Sequence, residues 1–285
     1  MGDYVLPQRR IRPMGLVLFA TLILCGVLGT PLYIYFRGIT APEITLFAFY
    51  FLATSLSITM GYHRLFAHTT YKTHAVIRFL LLFFGAATFE QSALKWSSQH
   101  RQHHQFTDTD KDPHNSTRGF WYTHIGWILF YKHRVNQDNI KDLLRDKLVM
   151  HQHKHYNLWS GGAGVVLPLS IGLFTGHLLS AFLMTICLRI FLVMNAAFFI
   201  NSYAHMVGAR TYNANESARD HWLGALLTNG EGYHSFHHRF PNDYRNGVRW
   251  YHWDPSKWLI YFLSRIGLTS ALKRTSQQAI SAALA

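Results

Sequence analysis

Charge is scarce in this sequence, and acidic charge is scarcer still. Asp, Glu, Lys and Arg make up 14% of the 285 residues, where a soluble chain carries about 25%. Acids number 14 against 27 basic residues, a formal net charge of +13 with histidine neutral. A nucleic-acid binder can carry that excess, but not together with long apolar runs, so an anionic membrane surface is the expected partner and nucleic acid is not. Cysteine is nearly absent. Cys25 and Cys187 both lie in apolar runs, which excludes a disulfide framework or a CxxC metal site and leaves the redox compartment open. No P-loop, GxGxxG or Ser-His-Asp signature announces itself, and HExxH is missing, which argues against a zinc membrane protease. No cleavable signal peptide is expected, because the first apolar run is too long and lacks a small-residue cleavage site.

The chain is rich in apolar residues (49%), aromatics (15%) and histidine, of which there are 19. The apolar runs predict spans at about 14–36, 44–60, 158–174 and 178–201, each near the length that crosses a bilayer. Arg37-Gly38 with Pro42, and Thr175-Gly176, mark tight turns, so the spans pair into two hairpins. The run 75–89 is short and interrupted by Arg78. It is expected to be an interfacial or re-entrant helix, because a span there would put His63 and His68 across the membrane from His100. A further amphipathic helix is expected from Pro255 to Ile266.

Lys and Arg number three before the first span, 13 between residues 61 and 160, and nine after His205. The two outer turns hold almost none. With four spans, every basic region falls on one side, expected to be the cytoplasm, together with both termini. The expected architecture is therefore an all-α integral membrane domain over residues 1–285. Four helices in two hairpins carry a cytoplasmic helical cap made from 61–157 and 202–285.

Histidines recur at i, i+3, i+4 twice: His100, His103, His104 and His234, His237, His238. On a helix these positions share a face and aim three imidazoles at one place. His63 and His68 follow the second span, and His205 follows the fourth. A lone histidine near a span end is more often hydrogen-bonded than ligating, which is the reading for His114, His124, His151 and others outside the clusters. Nine ligands exceed one tetrahedral zinc; they fit two metals of higher coordination number with positions left open. All-imidazole donors suit iron, copper, nickel or zinc, so spacing does not choose the metal. His63 and His68 stand about 140° apart on an α-helix and are not expected to share a face. Asp108, Asp110, Asp112, Asp220, Glu231 and Asp243 are candidates to accept from the far nitrogens of the histidines.

The set HxxxxH, HxxHH, HxxHH resembles the membrane fatty-acyl desaturases of the stearoyl-CoA desaturase type. So do Gly61-Tyr62-His63-Arg64, Asp112-Pro113-His114-Asn115, Gly126-Trp127 and Asn201-Ser202-Tyr203-Ala204-His205. The likeness runs from about Thr59 to Tyr244. It implies two iron ions held by the nine histidines, with Asn201 approaching one through a water. The implied reaction is an O2-dependent removal of two hydrogens from a saturated acyl chain to leave a cis double bond, expected at Δ9. Phe47 and Phe51 match the closed end of the family's acyl tunnel, although their helical spacing also fits plain packing. Trp96, Lys132 and Phe198 are further candidates for substrate contact, and Lys95 and Arg134 for an anionic headgroup.

Two departures stand out. The animal enzymes' Arg-Asp pair before the second cluster is here Ser98-Gln99, and a basic pair after Gly-Trp is Tyr131-Lys132. The acyl carrier is therefore open between coenzyme A, a membrane lipid and a carrier protein. No haem-binding carrier domain is expected after His205, so a separate redox protein or reductase is the expected electron donor, and a bacterial inner membrane the expected location. The rival readings are a di-iron hydroxylase of fatty acids or alkanes and, more distantly, a non-catalytic metal-binding or transport protein.

Overall fold

A computed structural model of the chain describes residues 8–132 and 135–284. Four helices are long and apolar enough to cross a membrane: Pro13–Arg37, Ala41–Ala67, Tyr156–Phe174 and Leu178–Met206. They pair as two hairpins. The first turns at Gly38, whose φ of 73° favours glycine, and a capping box between Thr40 and Glu43 starts the second span. The buried Glu43 also accepts from the Tyr33 hydroxyl at 2.5 Å and lies 3.6 Å from His177 Nδ1. One carboxylate thereby ties the outer turns of both hairpins together.

The first and fourth spans meet backbone to backbone at Gly26. A Cβ there would stand 2.7–2.9 Å from the Cys187–Leu188 main chain, closer than side chains tolerate. Small residues allow such approach where hydrophobic driving force between helices is weak. Both cysteines sit at this crossing and are free.

The helix Ala75–Ala86 has 12 residues, about 18 Å, far short of the ~30 Å hydrocarbon layer. It lies along the inner half of the second span and ends on Arg189. That fully buried guanidinium of the fourth span donates to Ala87 O (2.6 Å), Gly164 O (3.2 Å) and its own Thr185 O (2.8 Å). The C-terminal carbonyls of a short helix need donors, and burial without them would be costly. The charge that interrupts the fourth apolar run is thus a receptor for the short helix.

Two spans run further than their apolar runs predict. The second continues from Met60 to Ala67 and carries His63, and the fourth continues from Asn201 to Met206 and carries His205. Hydropathy falls where the histidines begin, but the helix does not. The expectation that His63 and His68 face apart is also overturned. Residues Ser57–Ala67 wind as a π-helix, and His68 N donates to His63 O at 3.0 Å. In i→i+5 winding, residue i+5 sits above residue i, as i+4 does in an α-helix.

Beyond the spans lies a cap of short helices. Two short antiparallel pairings pin it, Gln8–Arg9 with Tyr131–Lys132 and Lys72–Thr73 with Thr269–Ser270. Its core joins Met60, Tyr62 and Phe66 to Leu82, Ile140 and Ile260, so the inner end of the second span is the post on which the cap is built. The helix expected at 255–266 is present as Pro255–Arg265.

Candidate metal centre

Four elements deliver the nine histidines. The inner end of the second span gives His63 and His68. The helix Ala93–Phe106 gives His100, His103 and His104; the end of the fourth span gives His205; the helix His234–Arg239 gives the rest. The backbone before that last helix is forced. Asn229 and Gly230 take positive φ of 53° and 99°, and a Cβ on Gly232 would lie 2.1 Å from Ala225 N. Asp220 then accepts from Ser235 N (2.8 Å) and Phe236 N (3.2 Å). This candidate partner of a histidine instead satisfies the free N–H groups at the start of the histidine helix.

The histidines gather in two groups, His63, His68, His100, His104, His237 and His103, His205, His234, His238. In each, Nε2 atoms face one another. In the first group His63–His237 is 2.9 Å, His68–His100 2.8 Å, His100–His104 3.1 Å and His104–His237 2.9 Å. In the second, His103–His238 is 3.3 Å and His234 stands 3.1 Å from both His205 and His238.

The far nitrogens show what these contacts mean. His63 Nδ1 lies 2.8 Å from Glu231 Oε2, while His103 Nδ1 donates to Asp112 (2.9 Å) and His205 Nδ1 to Ser217 Oγ (2.6 Å). With the proton on Nδ1, the Nε2 of His103 and of His205 turns a bare lone pair toward its neighbour. Facing lone pairs at about 3 Å repel unless a cation lies between them. Metal–imidazole bonds of about 2.0–2.1 Å place neighbouring nitrogens about 3.0 Å apart at right angles and about 3.4 Å apart in a tetrahedron. The separations in the first group are those of donors at right angles about one cation. The residues therefore fit a metal, which the two groups would hold. Protonation agrees. Burial first, then the neighbouring histidines, push His68, His100, His104, His234, His237 and His238 well below the usual imidazole range, leaving them as neutral ligands. His103 alone is raised: burial opposes its charge, but Asp112 outweighs burial.

The carboxylates expected behind the histidines sort themselves. Asp112 and Glu231 take that role directly. Asp108 takes it at one remove, accepting from the Ser217 hydroxyl that receives His205. Asp243 pairs with Arg245 instead, and Asp110 is exposed. Several partners escaped sequence reasoning. Arg64, 1% exposed, bridges Glu231 (3.0 Å) and Asp254 (2.9 Å), and Asn246 Nδ2 donates to Glu231 at 2.6 Å. Glu216 Oε2 lies 3.6 Å from His238 Nδ1. Arg64 was adjacent to a histidine in sequence; the others lie in loops whose meeting only the fold reveals.

Below the histidines runs a narrow cavity of about 50 Å³, lined by Ile58, Thr59, Trp96, Ile128, Phe198 and Asn201 with His63 and His100. Trp96 stacks on the His100 ring at 4.9 Å and donates Nε1 to Glu90 Oε2 at 3.3 Å. Burial pushes the Glu90 carboxyl up to about 8, so it lines the cavity as a neutral acid. His114, read from sequence as a bystander, is buried on this wall, edge-on to Trp127 at 4.2 Å, with His103 and Asp112 beside it. Phe47 and Phe51 stack on each other at 6.0 Å, half-buried, and neither is among the cavity's lining residues. Gln91, Gln99, Trp127 and Ile128 also line a second hollow of about 380 Å³, whose rim carries Arg10, Arg12 and Lys95. The Lys132 side chain and Arg134 lie outside the described residues.

Comparison with known proteins places this geometry. The family described as fatty acid desaturase matches residues 40–260. The chain belongs to that family. It is 39% identical to Acyl-CoA desaturase 1 of Saccharomyces cerevisiae over 92% of its own length and 52% of that relative. It is 41% identical to a probable acyl-CoA desaturase of Schizosaccharomyces pombe over 85% and 52%. To Stearoyl-CoA desaturase 5 of Bos taurus the identity is 35%, over 85% and 74%. The chain thus spans about half the length of the two yeast relatives. This desaturase-family chain is an integral membrane protein, and its two histidine groups fit a metal site.

Proposed function

We propose that the protein is an O2-dependent fatty-acyl desaturase that places a cis double bond, at Δ9, in a saturated chain. The observation that carries this reading is the convergence of nine histidines, in two groups, above a narrow apolar cavity. Those histidines would hold two ferrous ions, with Asn201 on the wall of the cavity beside them, and the ions would supply the oxygen-activating chemistry. A saturated –CH2–CH2– unit, O2, two electrons and two protons balance to –CH=CH– and two waters.

The chain's own residues do the rest. Glu231, Asp112 and Ser217 hold the imidazoles in one tautomer and orientation. Ile58, Ile128 and Phe198 exclude water and confine a methylene chain under the site. Trp96, fixed by Glu90 and stacked on His100, sets how near that chain comes to the first group. Glu90, kept neutral, leaves no charge in the apolar wall. Arg10, Arg12 and Lys95 at the rim of the larger hollow suit a carrier with an anionic phosphate, such as the coenzyme A in the relatives' names. Ser98, in place of the animal arginine, is fully buried and donates to Asn136 O, so it offers no cation of its own to such a carrier. Electrons come from a separate redox protein, and the basic side faces the cytoplasm.

Expression in a host without desaturase, followed by mass spectrometry of its fatty acids, tests the proposal. New monounsaturated chains at Δ9 are expected. Hydroxylated chains, or no new product from metal-loaded protein, would overturn it.

A further inference from the structure

The cap shows large apolar side chains to the outside on one flank. Trp222 is 67% exposed and Leu227 58%, on the helix Trp222–Leu227; Trp250 is 84% exposed and Phe262 59%, on the segment that runs into Pro255–Arg265. Trp258 Nε1 donates to Trp250 O at 3.1 Å, and Trp253 meets Trp258 edge-on at 5.7 Å. The aromatic block is therefore built, and it faces no other part of the described chain. A contiguous exposed apolar patch of this kind marks an interaction surface.

Its depth identifies the occupant. Thr59 stands about 27 Å from Ala41 along the second span at 1.5 Å per residue, which is the inner edge of a hydrocarbon layer about 30 Å thick. Ser256 shares a 2.5 Å hydrogen bond with Thr59. Thr228 and Asn229, which follow Leu227, line a crevice with Ser55 and Ile58 of the same span, one turn deeper. Both exposed segments therefore lie at the level where acyl chains give way to headgroups, continuous with the lipid-facing sides of the spans. Tryptophan and tyrosine with flanking arginine, here the exposed Arg249 and Arg265, is the composition that settles at that level.

We propose that Trp222–Leu227 and the segment from Trp250 to Phe262 form a lipid-immersed collar. The bilayer surface then clamps the intervening loop, which carries His234, His237 and His238. Gly232 packs directly on the first arm at Ala225, and Asp254 in the second accepts from Asn246 N and Gly247 N of the loop, so both arms are joined to the loop they flank. Three of the nine histidines are thereby held in register partly by lipid, without any contact between lipid and the site.

The test uses full-length protein in nanodiscs, with Cys25→Ala and Cys187→Ala removing the native thiols. A fluorophore is placed at Leu226→Cys, at Trp250→Cys and, as an aqueous control on the cap, at the exposed Asp110→Cys. The first two are expected to be quenched by shallow nitroxide lipids and shielded from iodide, and the third the reverse. Iodide quenching of the first two at the control's level would overturn the collar. Shielding from both quenchers would also overturn it, in favour of a protein partner or a second copy. Hydrogen exchange across 228–249 is expected to speed several-fold in the Leu226→Gln/Leu227→Gln variant, and unchanged exchange in a variant displaced from lipid would overturn the clamp.

Discussion

Removing Glu231 should loosen the metal centre and the cap together, because one carboxylate serves both. Its Oε2 lies 2.8 Å from His63 Nδ1 and its Oε1 receives Arg64 at 3.0 Å, with both partners almost fully buried. Replacement by alanine leaves Arg64 with Asp254 as its remaining carboxylate partner, at 2.9 Å. Breaking a buried ion pair costs about 3–5 kcal/mol. The retained aspartate puts the expected loss near the lower end, about 3 kcal/mol. Glu231→Gln keeps the shape but turns an amide N–H either toward Arg64 or toward His63 and Asn246. Loss of such a partner behind a histidine weakens metal binding about 10–100-fold, equivalent to about 1.4–2.7 kcal/mol. The pH dependence follows from the sign of the shift. Burial raises the Glu231 carboxyl, but His63 and Arg64 outweigh burial and hold it below its usual range. A depressed carboxyl contributes stability above its unfolded pKa, and that contribution fades as pH falls below about 4. Thermal unfolding between pH 3 and 7, with chelator competition for bound metal, reads both effects. A Glu231→Ala protein that unfolds with the wild type and keeps its metal equally well would refute the reasoning.

Glu90 gives the opposite pH signature. Its carboxyl is raised to about 8 by burial, so folding takes up a proton and stability should fall by a few kcal/mol as pH rises from about 4.5 to 8; Glu90→Gln should flatten that slope in unfolding measurements. Arg189→Met should cost about 3–5 kcal/mol, because the carbonyls of Ala87 and Gly164 lose their donor inside the bundle, and should appear as poor recovery of folded protein in detergent. Gly26→Val should destabilise the pairing of the first and fourth spans by a few kcal/mol, seen as a lower unfolding temperature. His103→Ala and His237→Ala should each abolish desaturation while membrane insertion, followed by fractionation, stays intact.

The spans, the hairpins and the short helix at 75 were legible in the sequence, because hydropathy and turn residues act locally. So were the six histidines of the two HxxHH sets, since that spacing writes a helical face directly; the fold gathers them with His63, His68 and His205. What was not legible depends on winding or on distance. A shift of register from i+4 to i+5 hydrogen bonds puts His63 and His68 on one face, and no residue type announces it. Helices outran their apolar runs at both histidine-bearing ends because ligands are polar. Arg189 read as an intruder in the fourth span until Ala87, 102 residues earlier, supplied its acceptor. Among the acids, Asp112 lay near His103 in sequence, while Ser217 and Asn246 became partners only through loop closure. Phe47 and Phe51 repeat at helical spacing, which serves packing as readily as a tunnel wall, and they lie away from the cavity lining.

Metal content per chain bears most directly on the two-metal reading. Protein purified anaerobically with ferrous iron supplied should hold two irons, while His237→Ala should lose the ion of the five-histidine group and His103→Ala that of the four-histidine group. A single tightly held ion in a fully active wild-type protein would contradict the account.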